Sequence, residues 1–330
     1  MDMSIGHVAE LWRYPVKSLG GGQVELAELG PRGVLGDRLW AVRDLERDVT
    51  ASARQLPVLL TATARYLLAV PPDAGPGNVP EVEITFPDGT VLSSSDDGVH
   101  AKLSELAGRD VRLTALPTAD DTSLHKLTSA ERSDTVSPAF LRAAFGVAED
   151  EKLPDLSMMR VSDLVTLTRY STPPGKFVDL APVHVLSQTS LATIGADIGS
   201  ELDVRRFRPN VLLALDNPED GLPEARWTGA RLALGEAVLD VTMSTVRCVV
   251  PSRAQPGLGV DRRITKAVAV RAQRCLGVYC WVDSGGTVRV GDDVALRPVK
   301  ASRKVLSTAT RRTRRFTFGL FNEAMDRLSR

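Results

Sequence analysis

The run Ser244-Thr245-Val246-Arg247-Cys248-Val249-Val250 lies at the end of a predicted strand, and the rest of the chain can be read outward from it. Before it, residues 231–242 alternate around a Gly235-Glu236 turn, which predicts a β-hairpin that leads into the strand. After it, Pro251 and Gly257 predict a loop. A thiol beside an arginine at such a transition favours the thiolate, the form that binds soft metals. The alternative is a buried structural thiol.

The composition is that of a globular protein without excess charge. The chain has 330 residues, of which 43% are hydrophobic and 25% charged, and its 41 basic residues balance its 41 acidic ones. Balanced charge provides no general attraction to nucleic acid or to a membrane surface. The sequence has no apolar run of transmembrane length and no signal-like N-terminus. We therefore expect a cytoplasmic protein without a transmembrane segment and without nucleic acid as a partner.

The pattern of elements predicts two β-rich domains separated by a poorly patterned segment. Residues 1–116 contain several short strands and a hairpin with Asp88-Gly89 at its turn, and residues 180–299 contain further strands and two helices. Between them, residues 117–179 are predicted to form a connection and partial lid, with one helix at Pro138–Phe145. Short strands punctuated by glycine and proline are typical of barrel-like domains, so the predicted fold class is a β-rich α+β protein.

The last segment, residues 300–330, differs in character from the rest. It has nine Lys or Arg against two acids, and its apolar residues recur every four positions, as on one face of a helix. We expect this basic tail to end in a short amphipathic helix that docks on the protein itself. A helix that binds a membrane surface or a partner, and a contact with nucleic acid, are the alternatives.

Three further stretches, taken together with the Cys248 run, resemble the MOSC family. They are Tyr14-Pro15-Val16-Lys17-Ser18, Arg206-Phe207-Arg208-Pro209-Asn210 and Val290-Gly291-Asp292-Asp293-Val294. The subgroup in question has an N-terminal β-barrel domain before the MOSC domain and includes the mitochondrial amidoxime-reducing components and bacterial relatives. The resemblance covers residues 5–65 and 180–298. It implies an N-terminal β-barrel-like domain followed by a MOSC β-barrel domain.

The resemblance also implies a molybdenum cofactor, a pterin dithiolene that bears a phosphate. In the family a cysteine holds the metal, and that position falls on Cys248, where a thiolate is a suitable soft ligand. Cations and hydroxyl groups suit the phosphate and the pterin. The cofactor-binding positions that the resemblance implies are Lys17, Ser18, Arg38, Thr189, Ser190, Arg206, Arg208, Asn210 and Arg247.

Several of these positions have structural alternatives. Arg38 is able to pair with its neighbour Asp37, and the hydroxyls of Thr189 and Ser190 are able to cap the helix that they begin. Arg247 directly precedes Cys248, so the two face the same side only if the strand is kinked there. Arg54, in the run 51–55, is expected at the rim of the site only.

The function that the resemblance implies is oxygen removal from N-hydroxylated substrates such as amidoximes and hydroxylamines. Three cysteines are too few for an iron–sulfur cluster held by four thiolates, so electrons are expected from an external donor protein. Two alternatives stay open. One is a carrier of the cofactor, or of sulfur as a persulfide on Cys248, without turnover. The other is a barrel protein that binds only a partner.

Overall fold

The computed structural model describes residues 3–135, 137–151, 153–216 and 221–297. The predicted tail, residues 300–330, lies outside the described residues. Among the described helices, none is long and apolar enough to cross a bilayer.

Short strands dominate the described residues, which also contain six α-helices. The strands are β1 (Met3–Arg13), β2 (Gly22–Val24), β3 (Leu26–Gly30), β4 (Gly33–Val34), β5 (Trp40–Asp44), β6 (Val49–Thr50), β7 (Thr63–Tyr66), β8 (Val82–Thr85), β9 (Val91–Ser93), β10 (Val111–Ala115), β11 (Val183–Ser187), β12 (Val211–Leu215), β13 (Arg231–Leu234), β14 (Ala237–Val246), β15 (Cys275–Ser284), β16 (Gly286–Arg289) and β17 (Asp293–Arg297). The helices are α1 (Val99–Ala107), α2 (Ser129–Thr135), α3 (Pro138–Phe145), α4 (Val161–Arg169), α5 (Gln188–Ile198) and α6 (Arg262–Ala272). The predicted β-rich α+β class is confirmed.

Seven strands close into a barrel. Their order around it is β12, β11, β15, β14, β13, β17 and β1, and β1 pairs in turn with β12. Along β14, buried and partly exposed residues alternate strictly, as a strand with one face in a barrel core requires. Gly6 allows the close approach of β1 to β12, because a Cβ there would lie 2.0 Å from the carbonyl oxygen of Ala214.

The barrel therefore includes the first strand of the chain, although six of its seven strands come from the second half. Of the other elements of residues 14–116, β2 pairs with β1, and β3 and β4 form a sheet with β16. The strands β5–β10 form two three-stranded sheets, β10-β5-β6 and β7-β8-β9, which isolated bridges tie to residues 16 and 20. A separate core of buried residues holds them together, with Leu59, Ile84 and Leu103 at its centre. Since β1 runs from the barrel into this smaller unit, the residues directly after β1 lie at the junction between the two.

The connecting segment is more regular than its sequence indicates. The predicted helix Pro138–Phe145 is present with those bounds, and α2 and α4 flank it. Residues 126 and 170 form an antiparallel bridge. The Leu127 amide also donates to the Arg169 carbonyl at 3.0 Å. We call residues 126–170 the lid, because these contacts close its two ends against each other.

Candidate functional site

A cavity of about 420 Å³ lies between the barrel, the smaller N-terminal unit and the lid. Predicted site residues from both halves of the chain line it: Lys17, Ser18, Arg38, Arg208, Asn210, Arg247 and Cys248. Arg54, Asp179, His184 and Tyr279 line it as well. The structure thus brings together residues that are up to 262 positions apart in the sequence, counting from 17 to 279.

The positions of three of these residues depend on an unusual backbone conformation. Ser18, Arg38 and Arg208 have positive φ angles of 72°, 53° and 55°. For residues other than glycine such a conformation costs on the order of 1–3 kcal/mol, and it clusters at functional sites. Neighbouring backbone bonds hold it in place, since the Arg38 amide donates to the Tyr14 carbonyl at 2.7 Å. The fold therefore keeps strained residues where they face the cavity.

Two guanidinium groups share one aromatic ring at this end of the cavity. The Cζ atoms of Arg208 and Arg38 lie 4.3 and 4.9 Å from the centroid of the buried Tyr14 ring. Burial, together with the like charge of Arg38, lowers the pKa of Arg208 to about 10. The Nη2 atom of Arg208 is buried without a hydrogen-bond partner. A negatively charged ligand would relieve the repulsion between these arginines.

Lys17 is buried and forms an ion pair with Asp179, which is the residue where the connecting segment meets the barrel half. Burial lowers the pKa of Lys17, and the charge of Asp179 opposes that shift. Burial alone would raise the pKa of Asp179, but Lys17 and Arg54 outweigh it and lower this pKa far below its usual range. The Asp179 side chain is 52% exposed and lines the cavity, so its ionised carboxylate is open to a ligand there.

The cavity carries a surplus of positive charge. Five cationic side chains line it, Lys17, Arg38, Arg54, Arg208 and Arg247, against the carboxylates of Asp179 and Glu131. Arg38 is paired with Asp37 outside the lining, and Glu131 with Arg47. Because the whole chain has no net charge, this surplus is local to the site. Such a cluster in a partly enclosed space favours an anionic ligand.

Cys248 lines the cavity directly after the end of a strand. Strand β14 ends at Val246, so Arg247 and Cys248 lie outside the ladder and both line the cavity. Arg247 donates through Nη2 to the Phe207 carbonyl at 2.6 Å and lies 3.3 Å from His184 Nε2 through Nη1. Cys248 is a free, half-buried thiol. Both side chains line the same cavity because they lie beyond the end of the strand, where the alternation of a regular strand no longer applies.

His184 and Tyr279 are site residues that the sequence did not reveal. They lie on paired strands, β11 and β15, and their rings meet edge to face with centroids 5.8 Å apart. Burial and the charge of Arg247 lower the pKa of His184 well below its usual value, so this imidazole is neutral. Burial, with the nearby charge of Asp179, raises the pKa of Tyr279 to about 12. Both residues occur in apolar strand patterns, which is why neither stood out.

Glycine and asparagine shape the space around His184. At Gly277, φ is 79° and a Cβ would lie 2.3 Å from His184 Nε2, so no larger residue fits there without displacing the ring. The side-chain oxygen of Asn210 accepts from the His184 backbone amide at 3.2 Å, and the backbone amide of Asn210 donates to the His184 carbonyl at 2.8 Å. Asn210 therefore fixes the backbone of the site, and because it also lines the cavity, its contact with a cofactor stays a prediction.

Three predicted site residues do not line the cavity. The cap of α5 is Ser187, whose Oγ accepts from the Ser190 amide at 3.1 Å, so the helix begins before Thr189. The Ser190 hydroxyl donates to the buried Glu224 carboxylate at 2.6 Å. Thr189 does not line the cavity either. These two residues belong to the first turn of the helix, but the alternative that their own hydroxyls cap it is wrong, since Ser187 is the cap.

Arg206 is the third, and its side chain points into the protein. It donates to the carbonyls of Pro251, Arg253 and Gly259, at 3.1, 3.3 and 2.9 Å. These carbonyls belong to the loop that follows Cys248. Arg206 thus positions the loop and does not reach the cavity.

No group of three or more His, Cys, Asp or Glu side chains that would suit a metal ion occurs in the part of the chain that the structure describes. A metal at Cys248 would therefore need most of its ligands from the group that carries it, as a dithiolene provides.

Two family models match the chain. The model of the MOSC N-terminal beta barrel domain matches residues 5–116, and the model of the MOSC domain matches residues 173–295. The chain is a MOSC-family protein.

This MOSC protein is similar over most of its length to curated relatives. It is 24% identical to mitochondrial amidoxime-reducing component 1 of Homo sapiens, with 88% of this chain and 83% of the relative covered. It is 25% identical to mitochondrial amidoxime reducing component 2 of Bos taurus, with the same coverage. The MOSC domain and these relatives associate the chain with molybdenum-cofactor binding and with oxidoreductases.

Proposed function

We propose that this MOSC protein is a molybdenum-cofactor-dependent oxidoreductase that removes oxygen from N-hydroxylated compounds such as amidoximes and hydroxylamines. The observation that supports it most is the free thiol of Cys248 beside five cationic side chains in one cavity. Relatives named as amidoxime-reducing components support the choice of substrate.

The donor set fits the cofactor. A phosphate needs cations and hydrogen-bond donors, and the buried Nη2 of Arg208 is a donor without a partner. Lys17 and Arg208 reach the same cavity from the two halves of the chain, so an anion between them has a charge on either side. A single protein thiolate suits a metal whose other ligands are the sulfurs of a dithiolene.

Each residue then has a role in the proposed site. Cys248 binds the metal, and Lys17, Ser18, Arg38, Arg208 and Arg247 hold the phosphate and the pterin. Arg54, expected only at the rim, lines the same cavity as the other cations, and against the effect of burial the charge of Asp179 raises its pKa. Tyr279, with its pKa of about 12, keeps its proton at neutral pH and is able to donate a hydrogen bond to a ligand.

The bound cofactor supplies two-electron oxygen-transfer chemistry. The chain contributes position, charge and exclusion of water. Electrons would come from a separate donor, because the three cysteines of the chain are too few for its own iron–sulfur cluster.

The test begins with metal and pterin analysis of the full chain made in a molybdenum-replete host. We expect about one molybdenum per chain in wild type and near none in Cys248→Ala, because that substitution removes the only protein ligand. Cys275→Ala is the matched control, since Cys275 is half-buried but does not line the cavity. Full molybdenum in Cys248→Ala would contradict the ligand assignment, and a labile sulfane sulfur on Cys248 without molybdenum would support the persulfide carrier.

The activity test uses benzamidoxime with two electron sources. Reduced viologen should drive formation of benzamidine, whereas NADH alone should not. Turnover by the isolated protein with NADH alone would refute the external donor, and the absence of turnover with viologen in molybdenum-loaded protein would refute the reductase.

A further inference from the structure

One wall of the cavity is chemically unlike the cationic end. The lid provides it, and its large side chains apart from Tyr170 are mainly apolar: Phe140, Leu141, Phe145, Met159, Leu164 and Leu167. They come from α3, α4 and the stretch between them. We call this set the apolar wall.

Four polar side chains on this side of the cavity already have partners, and Tyr170 lines it as well. The hydroxyls of Thr135, Thr168 and Ser171 each donate to a backbone carbonyl, at 2.7, 3.0 and 3.2 Å. The Glu131 carboxylate accepts from Arg47 Nε at 2.6 Å. The wall therefore offers little to a ligand that needs hydrogen bonds, and a polar group placed against it would lose those it makes with water.

The wall reaches the position of the thiol. The carbonyl of Ala144, near the end of α3, accepts from the Val249 amide at 3.0 Å, and the Phe145 carbonyl accepts from Arg274 Nη1 at 2.8 Å. A Cβ at Gly146 would lie 2.9 Å from the Val249 side chain, so the packing is close. The C-terminal end of α3 is thus fixed beside the residue that follows Cys248.

A pterin does not suit this wall. Its ring edges carry several donors and acceptors, and these match the arginines, Ser18 and backbone groups of the cationic end. The space between Cys248 and the apolar wall is left for another ligand, one with an apolar portion.

We propose that the apolar wall selects N-hydroxylated substrates that carry an aryl or alkyl body, which lies against α3 and α4 while the N-hydroxy group points to Cys248. This inference rests on the proposed reductase function and adds the substrate class. Small hydrophilic hydroxylamines would leave the wall exposed to water and bind weakly.

Equilibrium binding tests the inference apart from turnover. The molybdenum-loaded full chain, without an electron donor, is titrated by calorimetry with acetamidoxime, benzamidoxime and 4-methyl-, 4-ethyl- and 4-propylbenzamidoxime. A buried methylene contributes about 0.8 kcal/mol, so each added carbon should tighten Kd about fourfold until the wall is filled. Benzamidoxime should bind more tightly than acetamidoxime by well over tenfold.

Two neighbouring residues on α4 provide the variant and its control. Leu164 lines the cavity, whereas Val165 is 43% exposed and does not. Leu164→Asn should weaken benzamidoxime binding about tenfold and flatten the alkyl series, because it places an amide in the wall. Leu164→Met, which conserves volume, should keep most of the series, and Val165→Asn should leave it unchanged.

The failure of this inference differs from the failure of the proposed function. A flat alkyl series in wild type, or a series equally affected by Val165→Asn, would overturn the apolar wall as the substrate surface even if viologen drives reduction. Absence of viologen-driven reduction, with the alkyl series still tightening, would overturn the reductase and leave an apolar-ligand site.

Discussion

The two sides of the cavity are built in opposite ways. The cationic end takes its side chains from strand ends and tight loops, where Ser18, Arg38 and Arg208 have strained backbone angles. The apolar wall takes its side chains from α3, α4 and the stretch between them, and α4 has no fully buried residue. One side is fixed by backbone hydrogen bonds within the body of the protein, whereas the other belongs to a segment whose two ends meet at the bridge between residues 126 and 170.

The contrast follows from what each side is proposed to recognise. A charged group of fixed shape binds most tightly to donors whose positions are fixed within tenths of an ångström. The binding energy gained in this way offsets the cost of strained residues. An apolar body requires only area and shape, so helices with no special backbone geometry are sufficient. Variants on the cationic end should therefore change cofactor retention, whereas changes in the lid should alter access and substrate choice.

The largest effect in this comparison is expected for Lys17→Met. The substitution keeps the buried stem but removes the charge, and a charge-assisted contact to phosphate contributes on the order of 1.5–3 kcal/mol. Cofactor retention should fall roughly tenfold to a hundredfold, measured as molybdenum and pterin per chain after dialysis. Loss of the ion pair to Asp179 should also speed limited proteolysis within residues 117–179.

Lys102→Met is the matched control for that experiment. Lys102 pairs with Asp88 and Glu105 on the surface of α1, away from the cavity lining. It should leave occupancy and cleavage rate as in wild type. If Lys17→Met also leaves both unchanged, Lys17 holds no anion.

A smaller effect is expected for Arg206→Lys, which tests the contacts that hold the loop after Cys248 in place. The planar guanidinium reaches three carbonyls of residues 251–259, and an ammonium cannot reproduce that fork. Losing one or two such bonds should lower the free energy of unfolding by about 1–3 kcal/mol. Denaturant titration measures this change.

The cofactor should nonetheless bind to Arg206→Lys with nearly wild-type affinity, because the side chain does not line the cavity. A loss of retention as large as that of Lys17→Met, without loss of stability, would place Arg206 in the site after all.

The sequence was sufficient to predict the strand-rich fold and much of the cationic end. Charged residues in short motifs, such as Lys17, Arg208 and Arg247, stand out against apolar strands, and a family resemblance connects them. The helix Pro138–Phe145 was also predictable, since Ser137 caps it and Gly146 ends it.

Other features depend on three-dimensional proximity, which local patterns do not carry. The place of β1 in the barrel depends on its pairing with β12 and β17, some 200 or more residues later in the chain. Thr189 and Ser190 lie in the first turn of α5 and not in the cavity lining, because Ser187, which ends a buried strand, is the cap of that helix. Asp179, His184 and Tyr279 gain their importance only from the cations that the fold brings to them.

A third effect depends on pH and concerns residues 125–127 and 169–175, the neck of the lid, where its two ends meet. His125 is fully buried, lies 2.7 Å through Nδ1 from the Thr172 hydroxyl and accepts from the Gly175 amide through Nε2 at 3.2 Å. With Nε2 accepting, Nδ1 carries the proton, so the neutral ring satisfies both contacts. A second proton would break the bond from Gly175. Burial accordingly lowers the pKa of His125 to about 4.

The folded protein therefore binds fewer protons at His125 than the unfolded chain, whose histidine pKa is about 6.5. The stabilising contribution of the neutral ring is complete above about pH 6.5 and is lost as pH falls toward about 4, at up to about 1.4 kcal/mol per pH unit. Hydrogen exchange of residues 126–170, corrected for the pH dependence of the chemical exchange rate, should accelerate over this range by more than that of the barrel core, which has its own pH dependence because burial also lowers the pKa of His184. In His125→Gln the acceleration should be much reduced, because the titrating ring is gone. If hydrogen exchange of the lid, relative to the barrel, does not change between about pH 6.5 and pH 4, the neck does not depend on His125. The contrast between a fixed cationic end and a loosely tied lid would then need another cause.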